Sequence, residues 1–406
     1  MIGGAKPPYG CRQHHSLAPT LATRMDEETR LIHAGQTDGL PARTVGPPVQ
    51  RGSTVLLPNA RALYDGTLGY GRAGLAAQFA LMDALAELEG ATAVQLFPSG
   101  LAALTAGIMA VLEAGDHLLV VDSVYKPVRQ FCDKVLRRFG VTVDYYDPRL
   151  DAAGLLALAG PTTRLIVLES PGSLTFEMQD VAAIAAAARQ RGVLTLIDNT
   201  WGAGRLFKPL AHGVDLSVQA LTKYVCGHSD VFMGSVATTD AAIGARVAAS
   251  IQDHGWAVSP DDAYQTLRGL RTLATRLDRH GESGLTVARW LADQPQVLAV
   301  LHPALPGAPG HDLWARDFSG ACGLFGFVLR PGPPEKVEAF LDALKLFGLG
   351  FSWGGFESLA ISCDPQLKAR TLPVALGGPL MRLHVGLEAV DDLVADLRAG
   401  LDVYSA

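Results

Sequence analysis

The chain has 406 residues, 49% hydrophobic and 18% charged, a balance that supports two or three buried cores and excludes a disordered polymer. Its formal net charge of −6 offers no broadly cationic surface, so nucleic acid is not an expected partner. Mean hydropathy is positive, at +0.21, yet no run reaches the roughly 18 uninterrupted apolar residues of a membrane span, so no membrane partner is expected.

Residues 1–24 carry Lys6, Arg12 and Arg24 with no acid, and Pro7, Pro8 and Pro19 interrupt them. The amphipathic stretch of a targeting peptide is missing, so 1–24 reads as a disordered tail, with Met25 a suitable true start. Residues 25–74 lack a core pattern of their own and are expected to wrap a neighbouring subunit as an N-terminal arm. Leu75, Phe79, Met82, Leu85 and Leu88 then recur at helical spacing, and Gly90 stops the helix. Strands are expected at Ala93–Phe97, His117–Asp122, Val141–Tyr146, Arg164–Glu169, Val193–Asp198 and Val214–Val218. Helices are expected between them, most clearly at Leu101–Leu112, Val128–Phe139 and Val181–Arg191. Strands apolar on both faces, separated by helices, imply a mostly parallel or mixed sheet covered on both sides, with ligands at the carboxyl ends of its strands. This large domain is expected over 75–260.

A long helical stretch, Asp261–Arg279, opens a smaller C-terminal α/β domain over 261–406. A Pro/Gly-rich loop at His302–Gly310 follows, then strand Leu324–Leu329, helix Pro334–Phe347, strands Ser358–Ser362 and Leu380–Val385, and helix Val390–Leu401. Five cysteines, at 11, 132, 226, 322 and 363, are odd in number and without C-x-x-C spacing. They fit a reduced, cytoplasmic protein with packed thiols and no metal site.

Two motifs match patterns whose context fails. Gly69–Gly74 reads G-x-G-x-x-G, but Arg61–Leu68 before it is not strand-like, and the acids that follow, Glu87 and Glu89, end a helix. Gly350–Gly354 reads G-x-S-x-G around Ser352, with Asp364 and His384 in the chain order of an α/β-hydrolase. An expected helix precedes that motif and a strand follows it, the reverse of a nucleophile elbow. The hydrolase stands as the alternative of a different class.

Asp198 closes one apolar strand, and Lys223 follows another, so both sit at the ligand-binding edge of the sheet. Ser99-Gly100-Leu101 opens a helix after Ala93–Phe97 and offers free backbone N–H groups to an anion. A lysine amine, a carboxylate and a phosphate cradle are what pyridoxal phosphate requires.

At these residues the chain resembles the Cys/Met-metabolism branch of fold-type I pyridoxal-phosphate enzymes, and within it the bacterial cystathionine β-lyases. The resemblance runs from about residue 26 to the end. It is carried by Tyr70-Gly71-Arg72, Glu169-Ser170-Pro171-Gly172-Ser173, Asp198-Asn199-Thr200-Trp201, Ala220-Leu221-Thr222-Lys223-Tyr224, Ser352-Trp353-Gly354-Gly355-Phe356-Glu357 and Arg382-Leu383-His384-Val385-Gly386. It implies a transferase-like fold with a mostly parallel seven-stranded sheet in the large domain. Lys223 then resembles the Schiff-base lysine, Asp198 the partner of the pyridine nitrogen, and Tyr125 the tyrosine stacked on the ring. Gly100, Leu101 and Thr222 would hold the phosphate from their own subunit, with Tyr70 and Arg72 reaching it from a neighbour in a dimer of dimers. Arg382 resembles the clamp for the substrate α-carboxylate, and Ser352 and Trp353 the lining of the pocket. Ala220 and Ala73 depart from the family, where a serine and a second arginine are frequent. The implied reaction is α,β-elimination from L-cystathionine or another L-cysteine S-conjugate, with γ-lyase, γ-synthase or sulfhydrylase chemistry as alternatives within the family.

Overall fold

The computed structural model describes residues 25–35 and 44–406; the expectation for 1–24 lies outside them. Seven short strands form the larger sheet: β1 Ala93–Phe97, β2 His117–Val121, β3 Thr142–Tyr146, β4 Thr163–Glu169, β5 Leu194–Asp198, β6 Leu216–Gln219 and β7 Gly234–Thr238. Their order is β1-β7-β6-β5-β4-β2-β3, with β7 antiparallel to both its neighbours and the other pairs parallel. The six strands legible as apolar runs are all present, within two residues at their ends. β7 was not among them because its run, Gly-Ser-Val-Ala-Thr, is small rather than apolar. The packing requires that. A Cβ at Gly234 would fall 2.4 Å from the carbonyl oxygen of Ser99, so the strand lies directly under the start of helix Gly100–Met109.

Helices cover both faces, as strands such as β2, buried at every position, demand. The region expected as one helix over Val128–Phe139 is helix Lys126–Phe131, then a π turn at Cys132–Leu136 and a 3₁₀ turn at Arg137–Phe139. The stretch expected as one helix over Asp261–Arg279 is instead two, Pro260–Leu270 and Leu273–Ala292. The reason for the break is local. Gly269 packs backbone to backbone, since a Cβ there would fall 2.2 Å from the Cys226 carbonyl oxygen. The buried Arg276 takes the Gly269 carbonyl at 2.8 Å and that of Tyr224 at 2.7 Å.

The second of those helices spans two cores. Leu273 and Leu277 pack with the large sheet, whereas Val287, Ala288 and Leu291 pack with a second sheet. That sheet contains β8 Val297–Leu301, β9 Leu324–Leu329, β10 Gly348–Leu349, β11 Leu359–Ser362 and β12 Leu380–His384, in the order β10-β11-β12-β9-β8. The edge strands β8 and β10 were not among the expected strands: β10 is two exposed residues, and β8 is the wholly apolar run Val-Leu-Ala-Val-Leu although only its first residue is buried. Helices Pro334–Ala343 and Val390–Ser405 close its core.

Asp122, just past β2 and fully buried, ties the two sheets together. It accepts from Arg129 at 2.5 Å, from Arg370 at 3.0 Å, and from the backbone N–H groups of Thr371 and Leu372. Those last three residues lie on the connection into β12, so the latch fixes where β12 arrives. At the other end of the chain, helix Glu27–His33 docks on its own subunit through buried Leu31 and through Glu27, which pairs with Arg205 and Lys208. The segment from Thr44 to Gly74 is anchored more sparsely: Val45, Leu56 and Tyr64 are 89%, 92% and 93% exposed.

Candidate active site

The carboxyl ends of the central strands assemble the site. β4 and β5 are parallel and in register, so Glu169 and Asp198 end side by side. Asp198 accepts from the backbone N–H and hydroxyl of Thr200, both on Oδ1. Glu169 accepts from the Tyr125 N–H at 2.7 Å and from the Ser173 hydroxyl. Burial raises both carboxyls, and Asp198 pushes Glu169 further, well above the usual carboxylate range. Glu169 was not singled out as a site residue in the sequence. The signal was available, because it is the second acid at a strand end on the same sheet edge.

Lys223 lies in the turn after β6, where its N–H donates to the Ala220 carbonyl. Its Nζ donates to the Ser352 hydroxyl at 2.8 Å and stands 5.4 Å from the Trp353 ring centroid. Burial and the Arg382 charge push this amine down to about 8, with Asp198 pulling the other way. The two sheets meet here through a glycine. Gly354 has φ +84°, and a Cβ on it would fall 2.9 Å from Lys223 Cα, so only glycine lets this loop lie against the lysine turn.

Arg382 projects from β12, 9% exposed, and donates to the carbonyls of Phe351 and Ser352 at 3.0 and 3.2 Å. Among the described residues it pairs with no carboxylate. Tyr125 precedes helix Lys126–Phe131 and is partly exposed, its phenol raised by burial and by Asp198 and Glu169.

The two motif matches dissolve in three dimensions. Ser352 receives the lysine amine, while His384 bonds to Gly354 and Gly355 and Asp364 accepts from Leu380 N–H, so no hydrolase triad forms. Gly71–Ala73 is a 3₁₀ turn after an isolated bridge at Tyr70, and no strand leads into it.

Residues 28–402 match the family of Cys/Met metabolism PLP-dependent enzymes. The chain belongs to that family. It is 44% identical to cystathionine beta-lyase MetC of Escherichia coli strain K12, over 92% of this chain and 97% of that one. It is 41% identical to the cystathionine beta-lyase of Haemophilus influenzae, over 94% and 99% of the two chains. The solved cystathionine gamma-lyase of Lactobacillus plantarum, complexed with L-serine, superposes with a TM-score of 0.87 at 32% identity, covering 94% of this chain and all of the other. The fold is therefore fold-type I, and pyridoxal phosphate is the cofactor of this Cys/Met-metabolism enzyme.

The residues present fit that cofactor. Helix Gly100–Met109 is capped by Ser99, whose hydroxyl accepts from Ala102 N–H. The N–H groups of Gly100 and Leu101 precede that bond and find no acceptor among the described residues. A Cβ at Gly100 would fall 2.4 Å from Ala220 Cβ, so the helix start and the Ala220–Lys223 turn form one cradle that a side chain would fill. Thr222 lies in that turn, its hydroxyl bonded to the backbone of Met233. Asp198 keeps Oδ2 clear of the bonds that end on Oδ1, as a partner for a ring N–H requires. Tyr70 and Arg72 stand apart. The Arg72 guanidinium lies over the Tyr70 ring and donates to Gln252, and neither residue contacts the lysine site.

Proposed function

We propose that this enzyme cleaves the Cβ–S bond of L-cysteine thioethers, with L-cystathionine the favoured substrate and homocysteine, pyruvate and ammonia the products. The observation that carries the reading is a half-buried amine, Lys223, held near pKa 8 between Asp198 and a buried Arg382 that has no carboxylate partner among the described residues. When bound, pyridoxal phosphate supplies an aldehyde for the substrate amine and an electron sink for charge left at Cα. Lys223, with an appreciable neutral fraction near neutral pH, takes the Cα proton as general base. Arg382 exchanges its two loop carbonyls for the substrate α-carboxylate, which its planar fork binds bidentately. Asp198, desolvated beside Glu169, would hold the ring nitrogen, and Tyr125 would cover the ring. The electron pair at Cα forms the Cα–Cβ double bond as the thiolate leaves, and water hydrolyses the released enamine to pyruvate and ammonia.

Elimination at Cβ rather than Cγ is supported by the higher identity to the beta-lyases and by the Trp353 indole, which narrows the space beside Lys223. Tyr70 and Arg72, reaching no site of their own, are assigned to a neighbour's phosphate, so the active unit is at least a dimer and by family resemblance a dimer of dimers. The exposed Leu56 and Tyr64 beside them support that assignment. Among the described residues no helix is long and apolar enough to cross a membrane, which accords with action in the cytoplasm. Incubation with L-cystathionine and identification of the keto acid tests the reading: pyruvate with homocysteine is expected, and 2-oxobutyrate with cysteine overturns it in favour of a γ-lyase.

A further inference from the structure

Strand β12 grips the loop over Lys223 at two points. Arg382 and His384 stand two residues apart on it, so their side chains share a face. Arg382 donates to the carbonyls of Phe351 and Ser352, as described. His384 Nε2 meets the next turn of the same loop, 3.1 Å from the Gly354 nitrogen and 3.0 Å from the Gly355 carbonyl oxygen. This loop carries the Ser352 hydroxyl bonded to Lys223 and the indole of Trp353 beside it.

We infer that His384 is a positioning residue: it pins the backbone of the Gly354–Gly355 turn through one hydrogen bond, so that Ser352 and Trp353 keep their places against Lys223 when Arg382 releases the loop to bind a carboxylate. The inference rests on the reading of Arg382 proposed above. Without a second anchor, each arrival of substrate would loosen the loop that forms the pocket wall.

The hydrogen-bond network selects the tautomer. His280 Nδ1 lies 2.8 Å from the Val385 carbonyl oxygen and must carry a proton, which leaves its buried Nε2 a bare acceptor without a partner among the described residues. His384 Nδ1 is likewise buried and unpartnered, and the two ring centroids are 5.2 Å apart. A proton on His384 Nδ1 leaves its Nε2 an acceptor. Its Nε2 then accepts from Gly354 N–H. The opposite tautomer leaves His280 Nε2 and His384 Nδ1 both bare acceptors and trades the Gly354 N–H for the Gly355 carbonyl, so the ring holds one of the two backbone groups at a time. Burial keeps both rings neutral, down to about 4 for His280 and about 3 for His384, so the arrangement persists through the working pH range.

Amide hydrogen exchange on the holoenzyme tests this directly. In His384→Ala, exchange at the Gly354 amide is expected to quicken about tenfold, the loss of one buried hydrogen bond, with β9 unchanged. The pH midpoint of the visible band from the cofactor–lysine linkage is expected to move, because Ser352 no longer stays on Nζ. With Arg382 intact, kcat should fall about tenfold while KM changes less than about threefold. Exchange and midpoint equal to wild type would overturn the inference, as would quickening shared equally by β9, which marks a merely structural role. If His384→Ala does not fold, His384→Asn carries the same readouts, since its shorter side chain places no ring nitrogen at the Gly354 N–H. Exchange and midpoint need no thioether substrate, so failure of the lyase reading and failure of this inference remain distinguishable.

Discussion

Lys223 titrates between two charges of opposite sign, and each can be removed separately. Burial is the largest cause of its lowered value, Arg382 lowers it further, and Asp198 raises it. Removing the arginine charge in Arg382→Leu should therefore move the lysine midpoint up from about 8, and Asp198→Asn should move it down. The rate at which an amine reagent modifies Lys223 in cofactor-free full-length protein, followed against pH, measures both; a common direction of shift would refute the electrostatic account. Because the neutral amine is the base, activity should rise with pH through this midpoint. Arg382→Leu should also raise KM for the amino acid about a hundredfold, the value of a charge-assisted bidentate pair worth about 3 kcal/mol, and Arg382→Lys should restore little of it.

At the scale of elements, two close approaches decide whether the site exists. Helix Gly100–Met109 meets the lysine turn with no room for a side chain, since a Cβ on Gly100 would fall 2.4 Å from Ala220 Cβ and 2.9 Å from its Cα. Gly100→Ala must displace the helix start from the turn, so cofactor affinity should fall about tenfold or more, as read by spectroscopic titration of the cofactor-free chain. The second is the buried latch at Asp122. Asp122→Asn leaves Arg129 and Arg370 without their shared charge in a dry contact, at a cost of about 3–5 kcal/mol. Urea denaturation measures this cost; an unchanged midpoint would mean that the latch contributes nothing to joining the two sheets.

For the whole molecule, the question is whether one subunit makes a complete site. Tyr70 and Arg72 lie on a sparsely anchored, exposed segment and touch none of the lysine-site residues. Subunits of Arg72→Ala and Lys223→Ala, each inactive alone, should therefore complement when unfolded together and refolded. Half of the dimers formed at random are mixed and each has one intact site, so about a quarter of wild-type activity is expected. Activity absent from the mixture would place Arg72 in its own subunit's site.

The alternation of apolar strands with helices, the strand ends carrying Asp198 and the turn carrying Lys223 were legible in the sequence because local periodicity and chain order suffice for them. β7 and the helix break after Leu270 were not, because Gly234 and Gly269 answer to a neighbour's backbone rather than to any local propensity. Ser352 illustrates the same limit: its G-x-S-x-G setting also matches a nucleophile motif, and the packing of Gly354 on the lysine turn makes it a hydrogen-bond partner of Lys223 instead. The sequence determined which chemical groups stand at the sheet edge. Their charges, protonation and mutual distances were decided by the tertiary structure, since burial and contacts between residues more than a hundred positions apart have no signature in local pattern.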